Sequence, residues 1–513
     1  MADYHEAREP GGALRAVLWI ATAVLFCLSV FLINGRPLFY FDTVGYISQG
    51  HTALRQLGWG GESPLSERNA KWQAAQGTGV AGEAPPDTAE IEADHTVDGS
   101  RSTVYALIAG TLARLQALEG LVLLNVVIVF AAVWLAMRVA MRRWGLPVPL
   151  SQAIAMPIIA ACFGSLPFFV AYLMPDTFAP VLLLVVATLT VFGRYMTPLE
   201  IVFAIVLGTF AVVAHLSHLA IGLLLIPVSA VVSIALDRHR WWLAPAMFAI
   251  IVGMGFAEQS MLRTAAKSVS GSEVVIKPYI TARLIQDGPG LKYLETHCPD
   301  AAIASCKLYE ALQWSDDPYR ITATHIVFET SPRLGSFRLM TPEDQRAVAD
   351  DQIPFFFEVL KDQPVATVMA FAKNMFIQSG WIGVDLTLTT DKILAEHEGV
   401  TGLGLSSFSH GRLTQDRGWY QPVTIWHGTL YLVSLSVILG LILLPRRVPG
   451  EVKAFALMVL FGLLVNALVC GGISQPSTRY GARVVWLLPM IAVFMMMFAV
   501  RDRQFATTAE GRA

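Results

Sequence analysis

Ten long apolar stretches constrain this chain more than any other feature of its sequence. Each has about the 17 to 25 residues that a helix needs to cross a bilayer. The 513 residues are 54% hydrophobic and 15% charged, with a mean hydropathy of +0.54, which is too apolar for an ordinary soluble protein. We therefore predict a mainly α-helical, polytopic membrane protein with about ten spans. They lie near residues 14–34, 120–137, 149–171, 177–193, 199–215, 217–236, 241–257, 424–444, 454–472 and 484–500.

The basic residues predict how these spans are oriented. When the spans are counted in order, the basic clusters all fall on the side of the N-terminus, which is the cytoplasmic side by the positive-inside rule. The clusters contain Arg8, Arg15, Arg138, Arg142, Arg143, Arg194, Arg238, Arg240, Arg446, Arg447, Lys453, Arg501 and Arg503. We expect both termini in the cytoplasm and the protein in a bacterial inner membrane. The first span has no small-residue cleavage site behind it, so we expect it to be retained.

Two long polar segments, residues 35–118 and 258–423, then lie outside the cytoplasm. The chain divides into an N-terminal membrane module (1–257), a mostly helical extracytoplasmic domain (258–423) and a C-terminal membrane module (424–513). The second polar segment carries enough aromatic side chains for a small folded unit of its own.

Within the polar segments, three local patterns predict structure. Residues 74–100 are rich in small residues, proline and acids, which predicts a mobile insertion. Residues 103–118 are typical of a helix that lies at the membrane interface. A second helix is expected to begin at a cap, Thr341, and to end before Pro364.

The five cysteines divide by location. Cys27, Cys162 and Cys470 lie in apolar runs, whereas Cys298 and Cys306 are eight residues apart in the second polar segment. The last two predict a disulfide in an oxidising compartment, the alternative being two unpaired cysteines in a loop. A metal site is less expected, because no further cysteine lies at short spacing.

Asp42, in FYFDTVGYISQGH, follows the first apolar stretch by about eight residues and is flanked by aromatic side chains. An acid is costly to desolvate at a membrane surface, which suggests a role for it there. One interpretation is a general base that deprotonates an acceptor hydroxyl, with neighbouring Tyr46 among the substrate-binding candidates. The alternative is a cap for the helix that follows.

Asp176 lies in AYLMPDTFAP, a short turn between two apolar stretches on the same side as Asp42. It could orient the acceptor. It could also complete a magnesium or manganese site with Asp42 and phosphate oxygens of a donor, since carboxylates are the ligands these ions prefer. The alternative is again a helix cap, because Pro-Asp-Thr is a common helix start.

Four further candidates could bind an anion on this side of the membrane. His215 and His218 are three residues apart, so they share one helical face and could meet a phosphate oxygen; ordinary hydrogen bonds are the alternative, and zinc lacks a third ligand. Arg479, beside Tyr480, could clamp an anion through two hydrogen bonds or extend to lipid headgroups. Arg101 is a weaker candidate of the same kind.

Three of these motifs together resemble the GT-C superfamily of membrane glycosyltransferases, which use polyprenyl-phosphate sugars. The motifs are FDTVGYI, LMPDTF and STRYGARVVWLLP, and their order and sidedness are similar. The resemblance implies a GT-C-like core over residues 14–257 and 424–500 and a catalytic base at Asp42. It also implies a second carboxylate at Asp176 and a lipid-phosphate site at Arg479 and the two histidines. The insertion in the first polar segment and the large domain between spans seven and eight depart from the family's pattern.

The expected function is inverting transfer of a sugar from a lipid-linked donor to an extracytoplasmic glycan, lipid or protein, in contact with membrane lipids. A membrane transporter is one alternative, and a scaffold or assembly protein with a partner-binding domain is another. A membrane acyltransferase that uses His215 is a third. The net charge of -2, without a Lys/Arg-rich run, argues against a nucleic-acid partner.

Overall fold

The structure is a computed structural model that describes residues 12–61, 96–270, 273–299, 303–388, 411–444 and 447–510. Seven helices in these ranges are long and apolar enough to cross a bilayer. This confirms a mainly helical chain and indicates an integral membrane protein. The seven are Gly120–Trp144, Pro175–Tyr195, Leu216–Leu236, Leu243–Ser268, Tyr420–Leu443, Gly450–Ile473 and Thr478–Val500. Three shorter apolar helices, Gly12–Cys27, Leu150–Cys162 and Pro198–Val213, lie on the remaining predicted stretches.

The N-terminal part of the chain contains eleven α-helices in the described ranges, with two 3₁₀ turns. They are α1 (Gly12–Cys27), α2 (Ser29–Asn34), α3 (Phe41–Gln56), α4 (Thr103–Arg114), α5 (Gly120–Trp144), α6 (Leu150–Cys162), α7 (Leu166–Val170), α8 (Phe178–Phe192), α9 (Pro198–Val213), α10 (Leu216–Leu236) and α11 (Leu243–Ser270), with the turns at Pro175–Thr177 and Gly193–Tyr195. Every residue of α8 is buried, so this helix lies at the centre of the bundle.

The predicted stretch 149–171 is broken into α6 and α7. Pro167 lies in the first turn of α7. A proline has no N–H to donate to the preceding turn, so it favours the start of a new helix there.

The helix predicted at residues 103–118 is present as α4, which packs side by side with α3. The two helices approach closely at Gly50 and Gly110: a Cβ on Gly50 would lie 1.8 Å from the carbonyl oxygen of Ala106. Neither position could carry a side chain without separating the helices. This contact fixes α3, and with it Asp42, against α4.

Residues 273–388, which we call the cap domain, have a hydrophobic core of their own. Their helices are α12 (Tyr279–Asp287), α13 (Pro289–His297), α14 (Ser305–Leu312), α15 (Ala323–Phe328), α16 (Pro342–Asp350), α17 (Gln352–Asp362) and α18 (Pro364–Gly380), with 3₁₀ turns at Pro318–Ile321, Phe337–Leu339 and Asp385–Thr387. A disulfide joins Cys298 and Cys306.

The cap domain is tied to the first polar segment by a parallel pair of three-residue strands, β1 (Thr96–Asp98) and β2 (Glu273–Val275). The prediction of a mobile insertion at residues 74–100 is therefore wrong for residues 96–98, which form strand β1. Its earlier part falls within residues 62–95, which lie outside the described residues.

Two predicted boundaries also differ. Helix α11 continues to Ser270, beyond the expected end at residue 257, because FAEQSMLRTAAKSVS contains no helix breaker. The helix expected to begin at Thr341 does so, with Thr341 Oγ1 accepting from the Asp344 N–H at 3.3 Å. It is divided into α16 and α17 near Asp351, since Pro354 fits only in the first turn of a new helix.

The C-terminal part returns the chain to the bundle. Its helices are α19 (Arg412–Gln415), α20 (Tyr420–Leu443), α21 (Gly450–Ala467), α22 (Thr478–Val485) and α23 (Leu487–Glu510). Between α21 and α22 the residues Leu468–Ile473 are wound as a π-helix. The N-terminal ends of α3, α10 and α22 all lie at the end of the bundle that the cap domain covers.

Candidate functional site: an arginine-lined cavity under the cap domain

A cavity of about 720 Å³ lies between the bundle end and the cap domain. From the membrane modules it is lined by Tyr40, Asp42, Tyr46, Arg101, His215, Arg479 and Tyr480, among others, and from the cap domain by residues that include Lys277, Tyr279, Phe328, Trp381 and Asp385. Three basic and two acidic side chains line it, so its wall carries one net positive charge. Six residues selected from the sequence for substrate binding or catalysis therefore meet in one cavity with Tyr40 and cap-domain residues.

Backbone hydrogen bonds bring the start of α3 next to the Pro175–Thr177 turn. The Leu38 N–H donates to the Ala171 carbonyl at 2.8 Å, and the Leu173 N–H donates to the Leu38 carbonyl at 2.9 Å. Thr43 Oγ1 adds a bond to the Leu173 carbonyl at 3.2 Å. The two predicted acidic motifs are thus neighbours because their flanking backbones pair.

Asp42 is the second residue of α3, whereas the cap position belongs to Tyr40. Its carboxylate lies 3.2 Å from Arg101 Nη2 and 3.8 Å from Arg479 Nη1, and the side chain is 37% exposed. A carboxylate in the first turn of a helix is also stabilised by the helix dipole. Asp42 is therefore held between two guanidinium groups while one side of it faces the cavity.

Arg479 is buried between two carboxylates and two aromatic rings. Its Nε lies 3.5 Å from Asp176 Oδ1, and its guanidinium lies 4.8 Å from the centre of the Tyr40 ring and 4.9 Å from that of Tyr480. Such stacking orients a guanidinium and offsets part of its desolvation. Nη1 is buried and has no hydrogen-bond partner among the described residues. The side chain does not extend to lipid headgroups; it is fixed at the cavity wall.

Asp176 does not reach the cavity. It is fully buried beneath Arg479, and Arg483 Nη1 lies 3.3 Å from its Oδ1. Arg483 is itself fully buried and also donates to Asn466 Oδ1 at 2.9 Å and to Ser217 Oγ at 3.2 Å. The carboxylate of Asp176 thus compensates two buried arginines, which explains an acid within an apolar bundle.

The two histidines face different surroundings. His215 lines the cavity, and its Nδ1 accepts from the Ser217 backbone N–H at 3.1 Å. The neutral ring therefore carries its proton on Nε2. His218 is fully buried, outside the cavity lining, and its Nδ1 donates to the Ala211 carbonyl at 2.8 Å. The histidines have adjacent rings but do not share a target in the cavity, because His218 points back toward α9.

Arg101 reaches the cavity through a backbone pairing with His215. Its guanidinium also fills the space beside Gly45, where a Cβ would lie 2.6 Å from Arg101 Nε.

Two tyrosines of the cavity wall have shifted pKa values. Burial raises the pKa of Tyr40 and raises that of Tyr46 well above its ordinary value. Both phenols therefore stay neutral and offer the cavity wall O–H groups rather than negative charge.

The magnesium or manganese site considered for Asp42 and Asp176 does not fit this arrangement. The guanidinium of Arg479 lies between the two carboxylates, in the place that a divalent cation would need. No group of three or more His, Cys, Asp or Glu side chains that could hold a metal occurs among the described residues. The donor set at this site suits an anion instead.

Arg483, Tyr40 and the cap-domain residues of the cavity were not among the site residues predicted from the sequence. The sequence could have identified Arg483, because it follows Arg479 by four residues and therefore lies on the same helical face. A charged residue in an apolar stretch also needs a partner. Lys277, Trp381 and Asp385 had no such signal, because only the tertiary placement of the cap domain brings them to the cavity.

Comparison of the chain with protein-family models, with curated proteins and with solved structures finds no match. The similarity of its three motifs to those of GT-C glycosyltransferases therefore stays a prediction that rests on short motifs.

Proposed function

We propose that this protein is an integral membrane glycosyltransferase that moves a sugar from a polyprenyl-phosphate donor to an acceptor hydroxyl. The observation that carries the proposal is the partly exposed Asp42 carboxylate, which lies beside two arginines in the cavity under the cap domain. Convergence of a base candidate and anion-binding groups at one point is what this reaction requires. Tyr46 and Tyr480 complete the wall of this part of the cavity.

The donor phosphate binds between Arg101 and Arg479. Arg479 Nη1 has no hydrogen-bond partner among the described residues, so it can donate to a phosphate oxygen in exchange for its 3.8 Å ion pair with Asp42. His215 adds an Nε2–H donor at the same wall. The net positive charge of the lining favours a negatively charged ligand.

Phosphate binding also changes Asp42. In the structure both oxygens of the Asp42 carboxylate face a guanidinium group, Oδ1 that of Arg101 and Oδ2 that of Arg479. A phosphate that takes over these two cations leaves Asp42 free to accept a proton. The donor thereby completes the active site.

In the transfer step, the acceptor oxygen attacks the anomeric carbon and the bond from that carbon to the phosphate oxygen breaks. The acceptor proton passes to Asp42, and the leaving phosphate keeps the electron pair. Attack opposite the leaving group inverts the anomeric centre. Fixed positive charge at the leaving phosphate is the larger contribution, and the base adds about 10² to 10⁴ in rate.

The sidedness of the charges supports an extracytoplasmic active site. Arg138 and Arg142 pair with Glu200, and Arg194 pairs with Glu451, at the end of the bundle opposite the cavity. With ten crossings, that end is cytoplasmic by the positive-inside rule, and both termini lie there. The cap domain and its disulfide then lie outside the cytoplasm, as in the inner membrane of a bacterium.

The alternative functions receive less support from the geometry. A transporter needs charged or broken segments near the bilayer midplane, whereas the charges here gather at a helix end. An acyltransferase would need His215 as a base, yet its Nδ1 already accepts from Ser217. A scaffold gives no reason for a partly exposed acid inside a cavity.

The test uses the full-length protein in proteoliposomes with polyprenyl-phosphate-linked hexoses and pentoses and an envelope extract as the acceptor. We expect release of polyprenyl phosphate by the native protein and a loss of about 10² to 10⁴ in rate for Asp42→Asn. The matched control is Asp416→Asn, an exposed acid near the start of α20 that we expect to leave the rate unchanged.

Two results would reject the proposal: no release from any donor of the series, or an Asp42→Asn variant as fast as the native protein. Uptake of an unmodified solute into the vesicles would instead favour a transporter.

A further inference from the structure

Helix α18 of the cap domain has an inverted distribution of polar and apolar side chains. Its buried residues are the polar ones, Thr367, Asn374 and Gln378. Its outward face carries Val365, Val368, Met369 and Phe376, which are 75%, 58%, 63% and 80% exposed. A helix on the surface of a water-soluble domain has the opposite pattern.

Two of these three buried polar side chains are hydrogen-bonded within the protein. Asn374 Nδ2 donates to Asp287 Oδ2 at 2.6 Å. Gln378 makes two bonds to Ser477: its Nε2 donates to the Ser477 carbonyl at 2.9 Å, and its Oε1 accepts from the Ser477 N–H at 2.8 Å. These bonds fix the rotation of α18, so the apolar side chains cannot turn inward.

The helix lies beside a candidate membrane span that also exposes apolar side chains. Helix α18 packs along the π-wound segment that ends α21. On α21, a candidate membrane span, Leu457, Phe461 and Leu464 are exposed in the same way. Lys373 is the only charged residue of α18, and a lysine can bury its stem in an interface while its ammonium group reaches water.

Both ends of α18 are held on the cavity side of the bundle. At its start, Gln363 Nε2 donates to the Pro289 carbonyl of the cap domain at 3.1 Å. Just after its end, Trp381 lines the cavity. The helix therefore begins and ends on the cavity side and does not run from one end of the bundle to the other.

We propose that α18 is an interfacial membrane helix whose apolar face is buried in the lipid leaflet beside the cavity. The occupant of this face is lipid, at the boundary between headgroups and acyl chains. The cap domain is thereby attached to the bilayer as well as to the bundle, and the Trp381 wall of the cavity lies at the level of the lipid headgroups. This inference does not depend on the reaction proposed for the cavity.

The experiment places a spin label on the full-length protein in lipid nanodiscs and compares its collisions with oxygen, which partitions into lipid, and with a water-soluble nickel chelate. The labelled variants are Met369→Cys, Phe376→Cys and Val368→Cys. Leu464→Cys on α21 is the lipid-facing control, and Asp350→Cys, on exposed helix α16 of the same domain, is the water-facing control. Native protein treated with the label supplies the background from its own cysteines.

We expect oxygen collisions to exceed nickel collisions at the three α18 positions, as at Leu464, with the order reversed at Asp350. Nickel accessibility at α18 equal to that of Asp350 would overturn the proposal, because the face would then lie in water. An immobile label shielded from both reagents would also overturn it, since the face would then be covered by protein.

Discussion

Asp42 and Asp176 are both bound by Arg479, yet their surroundings differ in every other respect. Asp42 is 37% exposed and shares its two arginines with the cavity. Asp176 is fully buried and is held by Arg479 and Arg483 with no access to the cavity. Two similar sequence motifs, an acid just after or just before an apolar stretch, thus produce one residue that a ligand can reach and one that it cannot.

The difference separates a substrate-facing role from a supporting one. The buried layer of Asp176, Arg483 and Asn466 holds Arg479 in place, and the cavity layer of Asp42 and Arg101 presents charge to a ligand. We therefore expect substitutions in the buried layer to change stability first, and substitutions in the cavity layer to change ligand binding or rate first.

The largest effect on stability is expected for Asp176→Asn. The substitution leaves two buried arginines without their shared counter-charge, which costs about 3–5 kcal/mol. Asp42→Asn is the matched comparison, and because that pair is partly exposed we expect about 0–1 kcal/mol. Thermal unfolding of both purified variants, followed by intrinsic fluorescence, measures the difference.

A double substitution tests whether charge imbalance is the cause. Asp176→Leu combined with Arg483→Met removes the carboxylate and one of its two arginines, so that only Arg479, which also pairs with Asp42, keeps its charge. Buried pairs replaced by apolar side chains often retain their stability. We expect the double variant to be more stable than Asp176→Asn alone. Equal stabilities for Asp42→Asn and Asp176→Asn would remove the distinction between the two layers.

A smaller effect is expected when the cavity arginines are shortened to lysine. Arg479→Lys loses the planar group stacked between Tyr40 and Tyr480 and a charged hydrogen bond worth about 1.5–3 kcal/mol, so the KM for donor should rise about 10–100-fold. Arg101 is more exposed, and we expect a rise below about tenfold for Arg101→Lys. Donor titrations at fixed acceptor give both values. A larger effect at Arg101 than at Arg479 would contradict the assignment.

The smallest expected effect is the pH dependence of thermal stability that arises from His51 and Arg114, between helices α3 and α4. Burial lowers the pKa of His51, and the charges of Arg114 and Arg55 lower it further. His51 Nδ1 accepts from Arg114, with Nη2 at 2.9 Å. A depressed pKa contributes stability that is present above the ordinary histidine pKa of about 6.5 and is lost as pH falls through the folded value.

We therefore expect the thermal midpoint to fall on acidification from neutral pH and to fall less steeply in His51→Gln, which keeps an acceptor for Arg114 but cannot be protonated. An unchanged slope in that variant would place the pH dependence elsewhere. Asp42 is not altered in either protein, so the comparison isolates the α3–α4 contact.

Much of the membrane architecture could be predicted because hydropathy and helix length are local properties of the sequence. An apolar helix lies on each of the ten predicted stretches, although seven reach the length of a span. The Thr341 cap was equally local. The break near Asp351 and the extension of α11 to Ser270 differ from the prediction because they depend on Pro354 and on helix propensity, which hydropathy does not reflect.

The residues of the candidate site could be predicted from the sequence in part, whereas their burial could not. Asp42, Arg101, His215 and Arg479 were selected as polar residues beside apolar stretches on one side, and they line one cavity. The burial of Asp176 could not be foreseen, because it depends on which side chains from α22 pack over the turn. The roles of these residues in a reaction stay predictions.

The π-wound segment Leu468–Ile473 sets the direction in which its own two glycines, Gly471 and Gly472, face. Each residue advances an α-helix by about 100°, and a π-turn absorbs one residue more per turn than an α-turn. A Cβ on Gly471 would lie 2.6 Å from the Asn374 carbonyl oxygen of α18, so adding a single residue ahead of it would replace this glycine with a side chain that α18 has no room for. For this part of the chain, length is as strict a requirement as composition.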